Sequence, residues 1–211
     1  MRRFAVFGSL LLLLSAGDAW AGQIAIGEAR VAFTPPTGHC ELDRKEARDA
    51  GFVDAVADAM GDVRILAAFA ACDQLAIWRK GLLTYLRDYG FLTVARADEG
   101  RTITDGRPAI MRALATALRA AAPAASHADD GGRIDHLGVL DADERAVYYG
   151  LVAEVETPDG RLRDALEVSA TTLIRGKLVS YVLYGEFAGR GSIDAMLRRQ
   201  RADLDRLIAA N

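Results

Sequence analysis

Three imidazoles and two thiols are the groups in this chain best suited to chemistry at neutral pH: His39, His127, His136, Cys40 and Cys72. The densest grouping is His127, Asp129, Asp130, Asp135 and His136, followed closely by Asp141-Ala-Asp-Glu144. Imidazole beside carboxylate can run acid–base hydrolysis or hold a metal. Neither stretch has the alternating oxygen ligands and distal Glu of an EF-hand loop, and a solvated acidic loop accounts for the same residues. His39 adjoins Cys40, but adjacent residues seldom converge into the base–thiol pair that activates a nucleophile. A G-x-S-x-G elbow is missing. Ser169 and Ser180 fall inside predicted strands, where an exposed nucleophile is awkward. Ser192, in Gly189-Arg-Gly-Ser192, stands at a predicted helix start, where amide groups can hold an anion and where a serine also simply caps. No catalytic, cofactor-binding or metal-binding residue is assigned on these grounds.

The N-terminus addresses the chain. Arg2-Arg3 is a basic n-region, Phe4 to Leu14 an apolar h-region, and Ala19-Trp20-Ala21 fits the small-x-small cleavage rule. Residues 1–21 therefore read as a signal peptide cleaved after Ala21, and 22–211 as one domain located in the periplasm. Losing Arg2, Arg3 and Asp18 takes the formal charge from −3 to −4. A mildly acidic chain without a basic block is a poor fit to nucleic acid, whose affinity comes largely from phosphate neutralisation. No segment of the mature chain approaches membrane-spanning length. In an oxidising compartment, Cys40 and Cys72 are expected to form a disulfide.

The elements that must position these groups follow from periodicity and punctuation. Gln23–Ile26 and Ala29–Phe33 read as short strands, stopped by Pro35-Pro36. Asp43 with Glu46 resembles a capping box and predicts a helix with Phe52, Val53, Val56 and Met60 inward, ending at Gly61. Val63–Ala71 is apolar on both alternating sets, as in a strand covered on both faces. Cys72–Lys80 is a separate element, and Leu82–Val94 contains another β-rich run. Asp105 and Pro108 start a helix with Ile110, Met111, Leu114 and Leu118 on its apolar face. Pro123–Arg133 lacks an apolar period and reads as a surface loop. Strands resume at His136–Leu140, Ala146–Glu156, Leu162–Ile174 and Leu178–Tyr184. Pro158-Asp159-Gly160 and Arg175-Gly176-Lys177 supply turns between them. A last helix over 192–210 carries a stripe of Ile193, Met196, Leu197, Leu204, Leu207 and Ile208, which needs a sheet to lie on. The fold class is α+β, an antiparallel sheet flanked by helices in a single domain.

This order is similar to the PsbP-like family fold. The resemblance rests on the early strand pair ending in Pro35-Pro36-Thr-Gly38 and on the closing run Thr172–Tyr181 that leads into the last helix. Pro36-Thr-Gly-His-Cys40, with Cys72 and Trp78-Arg79, also resembles exported bacterial proteins of unassigned role. The resemblance implies an accessory or binding role. The expectation is thus an exported, non-catalytic binding or accessory protein without a cofactor, its partner an unknown protein or small molecule. Tyr148, Tyr149, Tyr181 and Tyr184, in two strands that can be neighbours, are candidates for lining a pocket. Arg198, Arg199, Arg201 and Arg206, interleaved with Asp194, Asp203 and Asp205, read as a solvated outer face or a partner surface. The alternative is a periplasmic hydrolase with its His/carboxylate site around 127–144.

Overall fold

A computed structural model describes residues 22–121, 126–127, 133–157 and 160–211. The predicted signal peptide, most of the loop expected at Pro123–Arg133, and Pro158-Asp159 lie outside the described residues. The strands are β1 Gly22–Ile26, β2 Ala29–Phe33, β3 His39–Glu41, β4 Val63–Ala71 and β5 Tyr89–Ala95, then β6 Ser126–His127, β7 Arg133–Ala142, β8 Ala146–Glu156, β9 Leu162–Ile174 and β10 Lys177–Glu186. The helices are α1 Ala47–Met60, α2 Cys72–Arg79, α3 Arg107–Ala120 and α4 Arg190–Ala209. β1 and β2 form a separate hairpin, and the other strands make one sheet in the order β3-β4-β5-β10-β9-β8-β7-β6. Every pairing is antiparallel. The chain is a single α+β domain with helices on both faces of its sheet.

Strand alternation sorts side chains between these faces. On one side, Leu166, Val168, Tyr181 and Leu183 pack with Phe69 and Leu92 under α4, which brings Met196, Leu204 and Leu207, and under the hairpin's Ile26, Val31 and Phe33. All six residues of the predicted α4 stripe join this core. On the other side, α1 and α2 lay Phe52, Val53, Leu75 and Trp78 over Ala68, Ala70 and Phe91. α3 sets Met111 and Ala115 on Val147 and Leu173. β4 is covered on both faces, as its doubly apolar sequence requires. Among the described residues, no helix is long and apolar enough to cross a membrane.

Several local expectations are corrected. Asp43 and Glu46 form no capping box: Asp43 Oδ1 accepts the Lys45 amide, and the Asp43 amide donates to Asp49 Oδ2 at 3.0 Å. The acid that organises this start is Asp49, in the first turn of the helix. The β-rich run after Leu82 yields a strand only from Tyr89, because Cys72–Arg79 is helical and the residues between form an irregular connection. Short β3 and β6 carry too few residues to show a period. Ser192 is not the cap of α4. The helix starts at Arg190, and the Ser192 hydroxyl donates to the Gly189 carbonyl while accepting the Ala188 amide. The arginines of α4 are not merely solvated: Arg199 pairs with Asp88, Arg201 with Asp141 and Arg206 with Asp203.

The predicted disulfide is present. Cys40 on β3 joins Cys72, the first residue of α2, across a separation of 32 residues. Loop-closure entropy for that span gives roughly 3–4 kcal/mol. Replacing both cysteines with serine is therefore expected to lower unfolding free energy by about 3 kcal/mol or more in denaturant titration. A loss below about 1 kcal/mol would show that β3 and α2 hold their places without the bridge.

Candidate functional site

The face carrying α1, α2 and α3 is not fully covered. α3 sits over the ends of the strands near Val147, Leu173 and Leu178, and α1 with α2 covers β4 and β5. At the opposite end of β8, β9 and β10 a pocket of about 320 Å³ opens beside α2 and the connection that follows it. One row of side chains crosses its floor. Register aligns Tyr89 with Tyr184, Tyr184 with Glu167, and Glu167 with Leu151. Tyr89 and Tyr184 stack at 4.8 Å between centroids, and Phe52 meets Tyr89 edge-on at 5.2 Å. Trp78 packs edge-on to Phe52 at 5.9 Å, with the Arg48 guanidinium 4.1 Å from its ring. Aromatics dominate this lining because β5 and β10 each present a tyrosine at the same level, and α1 and α2 each add a ring.

Glu167 is the acid within this apolar row. Burial raises its pKa above the ordinary carboxylate range, and a hydrogen bond with Tyr184 opposes that shift only in part. Burial together with the Glu167 charge raises the Tyr184 phenol, and pushes Tyr89 up to about 12. Both tyrosines are therefore neutral hydrogen-bonding groups at physiological pH. Three further polar atoms on the lining are buried without a hydrogen-bond partner: Trp78 Nε1, Tyr85 OH and Arg163 Nε. Trp78 is only 8% exposed. All three are buried behind the pocket surface, and Asp49 Oδ1, Asp88 Oδ1, Arg199 Nε and Gln200 Oε1 are buried in the same way elsewhere among the described residues.

The structure divides the tyrosines named from the sequence. Tyr149 and Tyr184 face the pocket side, whereas Tyr148 and Tyr181 are buried in the opposite core. Strands β8 and β10 are not neighbours, because β9 runs between them. His136 lies on β7, where its Nδ1 is 3.1 Å from the Tyr149 hydroxyl. The carboxylates close to it in sequence go elsewhere: Asp135 pairs with Arg133 at 2.8 Å, Asp141 with Arg201, and Asp143 with Arg145. The side chains of His127, Asp129 and Asp130 lie outside the described residues. Among the described residues, no three His, Cys, Asp or Glu side chains gather as a metal site.

His39 belongs to a different cluster. Its Nδ1 lies 3.3 Å from the Thr37 carbonyl, and its Nε2 stands 3.0 Å from Arg199 Nη2 and 3.3 Å from Asp88 Oδ1. Burial alone would raise the pKa of Asp88, but hydrogen bonds from His39 and Arg199 hold it below the ordinary value. This arrangement ties α4 to the start of β5, and the disulfide occupies the Cys40 thiol. No family model matches the chain, and no curated protein or solved structure matches it either.

Sequence reasoning missed Glu167, Tyr85, Tyr89 and Phe52 as site residues. Glu167 had a visible signal: it is the one charged residue between Ala165 and Ile174, in the middle of a strand. Tyr85 and Phe52 had none, since nothing in the sequence shows which loop and which helix face the sheet there.

Trp78 is held in place by its neighbour. Arg79 donates from Nη2 at 2.5 Å and from Nε at 3.0 Å to Oδ2 of Asp49, which is wholly buried. That hydrogen bond is the main reason the Arg79 pKa is raised. Asp49→Ala is expected to cost about 3 kcal/mol, the low end for a broken buried pair because Arg79 keeps access to water. Urea unfolding checks it, and a change within about 0.5 kcal/mol would mean that α2 is positioned by packing and the disulfide alone.

Proposed function

We propose that this chain is an exported, periplasmic binding protein without a catalytic centre of its own, and that it holds a small molecule in the aromatic pocket between α2 and the sheet. The observation that carries this reading is the lining of the cavity itself, largely apolar, with Tyr89 and Tyr184 stacked at 4.8 Å beside Phe52 and Trp78. Small-molecule sites combine an apolar lining with a few placed polar groups. The disulfide fits an oxidising compartment, and the sequence pattern of residues 1–21 supports export. An accessory role is also what the outline resemblance to the PsbP-like family implies.

The rival reading, a hydrolase around 127–144, draws support from the His136–Tyr149 hydrogen bond. The described acids nearest to His136 in sequence, Asp135, Asp141 and Asp143, are each paired with arginine. Replacing His127 and His136 together is expected to leave ligand binding intact.

A native mass spectrum of the protein taken from the periplasm of its own host, without reductant, tests the reading. The expected species is residues 22–211, two hydrogens lighter than the reduced chain, with a small added mass that disappears in Trp78→Ala. An added mass that survives Trp78→Ala, in a variant that remains folded by circular dichroism, would place the ligand elsewhere.

A further inference from the structure

Resting on the reading of this pocket as a ligand site, we infer that its ligand is an organic ammonium on a compact apolar body, with the head at Glu167 and the Tyr184 ring and the body along Leu151 and Ala153. The acid on the floor is the first argument. Glu167 lines the cavity and keeps part of its surface exposed, so a ligand can reach it. Among the described residues it makes no ion pair, whereas Asp164 and Glu186 on the same lining each meet an arginine at 3.4 Å. A carboxylate set among rings without a counter-charge is costly to hold. A cation beside it favours its ionised form and offsets that cost. An anionic ligand would instead bring a second negative charge to the same floor.

The charge around the pocket has the matching sign. Four acids, Glu156, Asp164, Glu167 and Glu186, stand on the lining against two bases, Arg87 and Arg163. Both bases approach one oxygen of Glu186, at 3.8 and 3.4 Å, and their guanidinium carbons lie over the Tyr85 ring. Arg163 stands four residues from Glu167 along β9, roughly 13 Å of strand. Arg133, the partner of Asp164, is shared with Asp135. The rings complete the argument. One face of Tyr184 is taken by Tyr89, stacked at 4.8 Å, and β9 with Glu167 runs along the other side. An ammonium on that side meets a ring face and a carboxylate together, a pairing that selects organic cations. Leu151 and Ala153 of β8 give its body an apolar floor. At about 320 Å³ the cavity is at the small end for ligand sites, which suits a body of one ring.

The test uses the chain's two tryptophans, Trp20 and Trp78. In the full chain carrying Trp20→Phe, emission reports on the pocket wall alone. Phenylpropylamine, phenylpropanol and phenylpropionate are titrated in turn, as cationic, neutral and anionic heads on one body. The amine is expected to bind about tenfold more tightly than the alcohol, a difference of about 1.4 kcal/mol, with the carboxylate the weakest. Glu167→Gln should bring the amine to the affinity of the alcohol while leaving the alcohol unchanged, which also shows that the variant is folded. The comparison of the three heads needs no change at the pocket, so it decides the matter even where Glu167→Gln fails to fold. Equal affinities, a preference for the carboxylate, or indifference of the amine to Glu167→Gln would overturn the ammonium assignment while the Trp78 response upheld the pocket. No change in Trp78 emission with any of the three would overturn the pocket reading as well.

Discussion

β9 and β10 are joined residue by residue from Ile174 with Lys177 to Ala165 with Glu186, and this register decides what each face of the sheet contains. It sends Leu166, Val168, Tyr181 and Leu183 under α4 and leaves Glu167 and Tyr184 on the pocket side. A slip of one residue would exchange the two sets, driving a carboxylate into the α4 core and leucines into the cavity. The register is set at the turn. Arg175 and Gly176 take φ of 49° and 75°, the two-residue turn whose twist matches paired strands. A side chain at Gly176 would meet Thr102 Cγ2 at 2.9 Å. Lys177, almost wholly buried, then donates from Nζ to the carbonyls of Glu99 and Arg101 at 3.0 and 2.6 Å, fixing the next loop against the hairpin.

The two faces are covered differently. The α4 side is knit by buried hydrogen bonds, with a pocket of about 290 Å³ left between β2, the Pro35-Pro36 segment and the end of α4. Gln200 donates to the carbonyls of Val168 and Tyr181, Tyr181 donates to Asp203, and Asn211 exchanges hydrogen bonds with the backbone of Ala32. The other side carries three shorter helices, α1 and α2 packed on each other through Phe52 and Trp78 and α3 on a separate cluster. The disulfide and the Asp49–Arg79 pair fasten α2 at the edge of the gap, so Trp78 forms a fixed wall. A fixed wall and a stacked tyrosine pair make this a preformed cavity, the condition under which a ligand would bind with little ordering cost.

Much of this architecture was legible in the sequence, and the limits have physical causes. The α4 stripe and the β9–β10 turn could be read because helical period, strand period and positive-φ turns leave local marks. The disulfide followed from compartment and cysteine count. Strand order was not legible: β5 pairs with β10 across most of the chain, and no local pattern records a neighbour so distant. For the same reason Tyr148 and Tyr149 could not be told apart, nor could Glu167 be placed beside Tyr184. The acidic stretch around 127–144 drew attention by density, yet its described carboxylates serve arginines. The lone acid in an apolar strand carried more information than the cluster.

Carbon-13 NMR titration of the Glu167 carboxyl tests most directly whether that register sets an acid among the rings of this cavity. The account predicts a midpoint above the ordinary glutamate value. It also predicts a further rise in Tyr184→Phe, because the Tyr184 hydrogen bond acts to lower it. The sign extends to stability: a carboxyl raised on folding favours the native state below its unfolded pKa, and that contribution is lost as pH climbs through the folded value. A midpoint at the ordinary glutamate value, unmoved by Tyr184→Phe, would mean that Glu167 stands in water, and the account of this face would be wrong.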